Sequence, residues 1–416
     1  MGSAVLSVQS AREVVLQQCR TLVARSAVET VPLLDSFQRV LAESVTLDRD
    51  QPPFDRSMRD GFAVRAEDVR SAPVTLLCAA EVKAGETTER TLQPGETFQI
   101  MTGAAVPQGT DSVVMVEHTE RMSGGEVRFL RTSRPGENVA PKGSEGRAGD
   151  AVLQPGRRIS ALEAAVLAAT GRAHVRVFRR PLVAILATGD ELVEIESVPR
   201  SGQIRNSNSF SLVGQVLRCG AVPLNLGIAR DNLPDLRRQV RQGLESDVLL
   251  VSGGVSMGKY DLVEPVFEEL GVMVHFEAVS MRPGKPTVFG TWNDRCVFGL
   301  PGNPLSTFVA FELFVRPVLR VLQGLSSADL PIVTGRLQSD VVERSGRSAF
   351  LPALAVSRLG NLEITPLNSK GSADLFGAVE SNALLIVPME AARLNCGELA
   401  QALLFGELGC EMDARL

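Results

Sequence analysis

The sequence is poor in the residues that build metal and disulfide frameworks. Its 416 residues include only three His (His118, His174, His275) and six Cys (Cys19, Cys78, Cys219, Cys296, Cys396, Cys410). No two cysteines stand as C-x-x-C, so neither zinc ligation nor a disulfide scaffold has local support, and scattered thiols suit a reducing, cytoplasmic compartment. A basic excess is also missing: 43 Lys+Arg against 48 Asp+Glu leave a net charge of -5, which excludes a polyanion-coating nucleic-acid binder. No run approaches the ~18 apolar residues of a membrane helix, and Gln9 and Arg12 interrupt the N-terminal apolar segment before a signal-peptide core forms. Neither secretion nor membrane spanning is expected. Gly2 invites a myristoylation reading, which fails because Leu6 stands where that motif needs Ser or Thr.

What is present is ordinary globular composition, 44% hydrophobic and 22% charged with 37 Gly, in a chain long enough for roughly three domains of about 150 residues. Residues 7 to about 45 read as helical, with Ser10 and Glu13 spaced as a capping box and Val14, Val15 and Cys19 on one face. Short β-prone runs separated by Gly and Pro turns then fill 51–132 and predict an inserted small β domain. The polar stretch RPGENVAPKGSEGRAGD leads back into a helix near 160–170, so 1–50 and 133–180 are expected to form an N-terminal helical and linker domain. From 181 to 325 strand-like and helical segments alternate, the pattern of a doubly wound, mostly parallel α/β domain. After Pro331 the runs IVTGRLQ, AFLPALAV, LEITPL and ALLIVP predict a C-terminal β domain over 326–416.

Ligands of an open parallel sheet bind outside the carboxyl ends of its strands. The polar and glycine-rich clusters of 181–325 all fall at such ends: Thr188-Gly189-Asp190-Glu191, Arg230-Asp231, Ser252-Gly253-Gly254 through Ser256 to Gly258, Arg282 to Pro286, and Pro301-Gly302-Asn303-Pro304. Asp190, Glu191, Asp231 and Asp261 suit a hard cation, while Arg282, Lys285 and the Gly253-Gly254 backbone suit phosphate-like anions. A metal-bridged phosphate ligand fits both halves. Simpler roles stand beside these: Asp231 and Asp261 each precede a helix and can be N-caps, and the Thr188 and Pro301 clusters can be plain turns. Gly253 and Gly258-Lys259 also have the spacing of a phosphate-binding P-loop, but Tyr260 replaces the small hydroxyl residue that the motif places on Mg²⁺.

These residues resemble the molybdopterin molybdotransferases, the MoeA-type family that includes the E domain of gephyrin. Pro53-Phe54-Asp55-Arg56-Ser57-Met58-Arg59-Asp60-Gly61-Phe62-Ala63 is similar to the P-x-F-D-x-S-x-M-D-G-Y-A signature, and Met101-Thr102-Gly103-Ala104 to its M-T-G-A segment. The strand-end clusters match the family's later motifs in order, over nearly the whole chain. The resemblance implies a multidomain fold with a MogA-like α/β domain, and a homodimer that inserts molybdenum from molybdate into adenylated molybdopterin with release of AMP. Mg²⁺ is the implied metal, held by Glu191, Asp231 and Asp261, with Asp60 joining them in catalysis. Thr102, Thr188, Gly189, Asp190, Ser252, Gly253, Gly254, Ser256, Arg282, Lys285, Pro301, Arg347 and Ser372 are the implied substrate contacts. The implied partners are the pterin nucleotide, the oxyanion, a second copy contributing to the site and a MogA-type adenylyltransferase. Arg282 stands where the family commonly has Lys, Lys259 where an acidic residue is usual, and Ala140 and Glu145 also depart from the pattern. Two other functions are consistent with parts of the sequence: a gephyrin-like peptide-binding scaffold, and a nucleotide hydrolase built on the near-P-loop.

Overall fold

The computed structural model describes residues 5–23, 27–86, 88–255 and 262–411. The chain divides into two compact units, one made of Met1–Ala42, Pro155–Ser160 and His174–Leu416, the other of Glu43–Gln154 and Ala161–Ala173.

The first unit is built on a six-stranded sheet of β1 (Leu182–Thr188), β2 (Val222–Ala229), β3 (Val248–Ser252), β4 (Met273–Phe276), β5 (Val288–Trp292) and β6 (Arg295–Leu300), in the order β2-β1-β3-β6-β5-β4. The first four in that order are parallel; at one edge β5 pairs antiparallel with β6, and β4 antiparallel with β5. β1, β3 and β6 are near-continuous apolar runs because helices cover both faces, and alternate residues serve opposite layers. Val183, Ile185, Val248, Leu250 and Phe298 pack into one buried cluster, while Ala184, Leu186, Leu249, Val251 and Val297 pack into the other. The first layer receives α1 (Val8–Val23), α2 (Asn208–Arg218) and a helix that runs from α5 (Pro304–Ala310) through a π-helical stretch, Phe311–Val315, into α6 (Arg316–Leu322). The second receives α3 (Leu233–Gly243) and α4 (Val263–Glu269).

The helix expected over 7–45 ends far sooner. It spans only Val8–Val23, and Val28–Pro32 instead forms a strand paired antiparallel with His174–Phe178. Its first turn is capped by Ser7, whose hydroxyl accepts the Ser10 N–H at 3.0 Å, so the expected Ser10–Glu13 capping box does not form. Of the face the periodicity indicated, Val15 and Cys19 are buried, together with Ala11, while Val14 is half-buried.

The C-terminal strands Ile332–Leu337, Ser348–Arg358, Asn361–Pro366, Ala383–Val387 and Leu399–Leu404 close on one another as a barrel, because Ser348–Arg358 pairs with both Asn361–Pro366 and Ala383–Val387. Closure leaves these strands without the open edges a flat sheet would carry. Met281–Arg282, arriving from the α/β sheet, adds in parallel to Ser348–Ala349 of this barrel.

The second unit centres on a six-stranded sheet in the order Ser112–Met115, Gly61–Val64, Glu96–Ile100, Val74–Val82, Glu126–Phe129, Thr119–Arg121. Residues 133–154 fall in this unit, where Val139–Ala140 pairs with Arg56–Ser57 and Ala151–Leu153 with Val45–Thr46. Among the described residues no helix is long and apolar enough to cross a membrane.

Candidate functional site

A cleft of about 1100 Å³ opens in the first unit where the carboxyl ends of β1, β3 and β6 face the barrel. Thr188, Gly189, Glu191, Asp231, Ser252, Gly253, Gly254, Arg282, Lys285, Pro301, Arg347 and Ser372 all line it. Asp190 borders it through Asp231. The Asp231 carboxylate accepts the Thr188 hydroxyl at 3.0 Å and the Asp190 N–H at 3.1 Å, while the Asp231 N–H donates back to Asp190 Oδ1 at 3.3 Å. Asp231 is not the cap of α3; Asn232 is, accepting the Asp235 N–H at 3.0 Å.

The loops here approach so closely that only glycine fits. A Cβ on Gly253, at φ 95°, would lie 2.5 Å from the Thr188 carbonyl oxygen, and one on Gly254, at φ 64°, would meet Val263 at 2.9 Å. Asn208, at the start of α2, ties the loops together: its side-chain amide donates to Ser252 Oγ and to the Gly302 carbonyl, both at 2.8 Å. Nothing local in the sequence reveals these partners, 44 and 94 residues away.

The cleft lining also carries cations. Arg282 is half-exposed in the cleft, Lys285 lines it without an ion-pair partner among the described residues, and Arg347 donates to the Met281 carbonyl at 3.3 Å. Ser372 joins this lining to the α5 loop, accepting the Asn303 amide at 2.8 Å through its hydroxyl and the Leu305 N–H at 3.0 Å through its carbonyl. Carboxylates at strand ends thus share one cavity with guanidinium and ammonium groups.

Asp60 and Thr102 belong to the second unit, where they meet each other. The Thr102 N–H donates to Asp60 Oδ1 at 2.7 Å, and that bond, with the Thr102 hydroxyl, holds the exposed carboxyl below its ordinary range. Ser256, Asp261 and the Lys259-Tyr260 pair lie outside the described residues.

Three family models match in chain order: the MoeA N-terminal region (domain I and II) over residues 6–171, a probable molybdopterin binding domain over 184–321, and the MoeA C-terminal region (domain IV) over 334–405. The molybdopterin molybdenumtransferase of Bacillus subtilis (strain 168) is 36% identical over 387 residues, 91% of this chain and 90% of that protein. The one from Nostoc sp. (strain PCC 7120) is 36% identical over 402 residues, 94% and 92%. The chain belongs to the molybdopterin molybdenumtransferase family. Two crystal structures of the molybdopterin biosynthesis MoeA protein from Pyrococcus horikoshii share its multidomain fold, with TM-scores of 0.80 and 0.83 at 32% and 29% identity, each covering 97% of this chain and 100% of that one. Molybdopterin molybdenumtransferases are transferases of molybdenum cofactor biosynthesis, and the cleft lies in the segment matched by the family's molybdopterin binding domain together with the C-terminal barrel.

The carboxylate side of the cleft offers oxygen donors only, which suits Mg²⁺. Among the described residues no three carboxylate, His or Cys groups converge on one point. That arrangement still fits Mg²⁺, which is usually held by one or two carboxylates with substrate phosphates and water completing the shell, rather than by an all-protein cage.

Proposed function

We propose that the chain inserts molybdenum from molybdate into adenylated molybdopterin and releases AMP. The observation that carries this reading is the two-signed cleft, lined by Asp231 and Glu191 and also by Arg282, Lys285 and Arg347. Its volume of about 1100 Å³ sits at the upper end of small-ligand pockets, enough for a pterin joined to a nucleotide together with a tetrahedral oxyanion. The glycine turn at Gly253-Gly254 and the Ser252 side chain stand at the strand ends where a pyrophosphate would lie, with the Thr188 hydroxyl orienting Asp231 beside them. Asp231 and Glu191, with Asp261, would hold Mg²⁺, which when bound supplies charge neutralisation at the pyrophosphate. Arg282, Lys285, Arg347 and Ser372 hold the oxyanion, so that rate comes from placing two anionic reactants together against fixed opposite charge.

The functional molecule in this reading is a cytoplasmic homodimer to which both subunits contribute site residues, Asp60 and Thr102 among the contributors. A MogA-type adenylyltransferase supplies its substrate. Incubation with adenylated molybdopterin, Mg²⁺ and molybdate, followed by native mass spectrometry, tests the core of the proposal. The expected result is a pterin-bound dimer that releases AMP only when molybdate is present. AMP release indifferent to molybdate, or no retention of the pterin, would overturn it.

A further inference from the structure

One buried carboxylate touches the cleft's cationic lining and belongs to no motif. Glu343 follows the short strand Val341–Val342, which pairs with Arg393–Leu394. Its N–H donates to the Ala392 carbonyl at 3.0 Å, and its side chain is only 4% exposed. Both carboxylate oxygens accept from a single nitrogen, Nη1 of Arg282, at 2.9 and 3.1 Å, and Oε1 also accepts the Ser345 N–H at 2.8 Å. Burial opposes the charge, but the hydroxyl and N–H of Ser345 together with Arg282 outweigh it and hold the carboxyl below the ordinary glutamate range. Glu343 is therefore a fixed anion.

We propose that Glu343 is a positioning residue for the oxyanion end of the cleft, acting through Arg282. The inference rests on the reading of Arg282 as an oxyanion ligand and adds the group that aims it. A guanidinium carries five N–H donors in a rigid fork. Glu343 takes only Nη1, so Nε and Nη2, which have no protein partner among the described residues, stay available to an anion in the cleft. A lysine ammonium is a single charge centre: drawn to Glu343, it leaves the cleft. The Arg282 side chain is 52% exposed, so without Glu343 it would sample many rotamers, and freezing it on binding would cost affinity.

The test is isothermal titration of the full chain with sodium molybdate at fixed ionic strength, alongside thermal melting, for wild type, Arg282→Ala, Arg282→Lys, Glu343→Ala and the Arg282→Ala/Glu343→Ala double variant. Arg282→Lys and Glu343→Ala are each expected to weaken molybdate about 10-fold, the scale of one newly immobilised side chain. Arg282→Ala should lose more, and adding Glu343→Ala to it should cause no further loss, since the two act as a unit. Affinity of Glu343→Ala for the adenylated pterin should stay within about twofold of wild type, because neighbours of the oxyanion pocket alone are disturbed. Unchanged or tighter molybdate binding by Glu343→Ala, or the same loss in both backgrounds, would overturn the role of Glu343 while leaving Arg282 in the site. Wild-type affinity in Arg282→Ala would overturn the reading of the cleft and the Glu343 role with it. If Glu343→Ala does not fold, Arg282→Lys decides: wild-type affinity there means a point charge suffices, and the proposal falls.

Discussion

Asp231 carries two roles in one side chain. Its carboxylate links the β1 and β2 loops through Thr188 and Asp190, yet it remains exposed at the mouth of the cleft. Asp231→Asn keeps an acceptor for the Thr188 hydroxyl and removes the charge, so the fold should survive while the chemistry suffers. We expect AMP release to fall at least ~100-fold, the scale of losing one charge-stabilising group from a preorganised site. Circular dichroism matching wild type together with unaltered turnover would reduce Asp231 to a loop tie.

The turns between elements set the shape of the cleft more tightly than the elements themselves. Gly253→Ala places a methyl against the Thr188 backbone oxygen in a left-handed conformation, and neither the β1 end nor the β3 end can retreat without leaving the sheet. The expected cost is about 3 kcal/mol or more. Gly302→Ala is the contrasting case: its added carbon reaches only the Gly253 Cα, at an ordinary 3.7 Å, and stability should stay within about 0.5 kcal/mol. Urea denaturation of the two variants compares them directly, and equal stability would show that the Thr188–Gly253 contact relaxes. At this scale much was legible. Apolar runs such as LVAILAT and DVLLVS carry their strand character locally, and glycine and proline mark where they stop. What was not legible depends on distant partners. Val28–Pro32 reads as part of a long helix until it finds His174–Phe178. Asn208 and Glu343 have unremarkable local surroundings, and their importance appears only where chain segments from elsewhere meet them. Closure of the barrel likewise rests on one strand, Ser348–Arg358, having two neighbours.

Across the first unit, the α/β layer and the barrel are joined by a buried charge as well as by apolar packing. Glu312, fully buried in the π-helical stretch, accepts from Gln215 at 2.7 Å, from Arg316 at 3.0 Å and from Arg218. Arg316 Nη1 also donates to the Leu404 carbonyl of the barrel at 3.0 Å. Glu312→Gln leaves two guanidinium groups around a neutral amide. We expect a loss of about 2 kcal/mol or more, less than for a wholly buried pair because the Arg218 side chain is 37% exposed. Chemical denaturation monitored by the signal of Trp292 would register it, and a stability equal to wild type would show that solvent compensates the arginines. The pairing of Met281–Arg282 with Ser348–Ala349 has a consequence in time. A ribosome makes the chain from its N-terminus, so all six strands of the α/β sheet have been translated while the strand that anchors Arg282 has yet to be made. The end of the cleft that holds Arg282 is thus the last part of it to come into being.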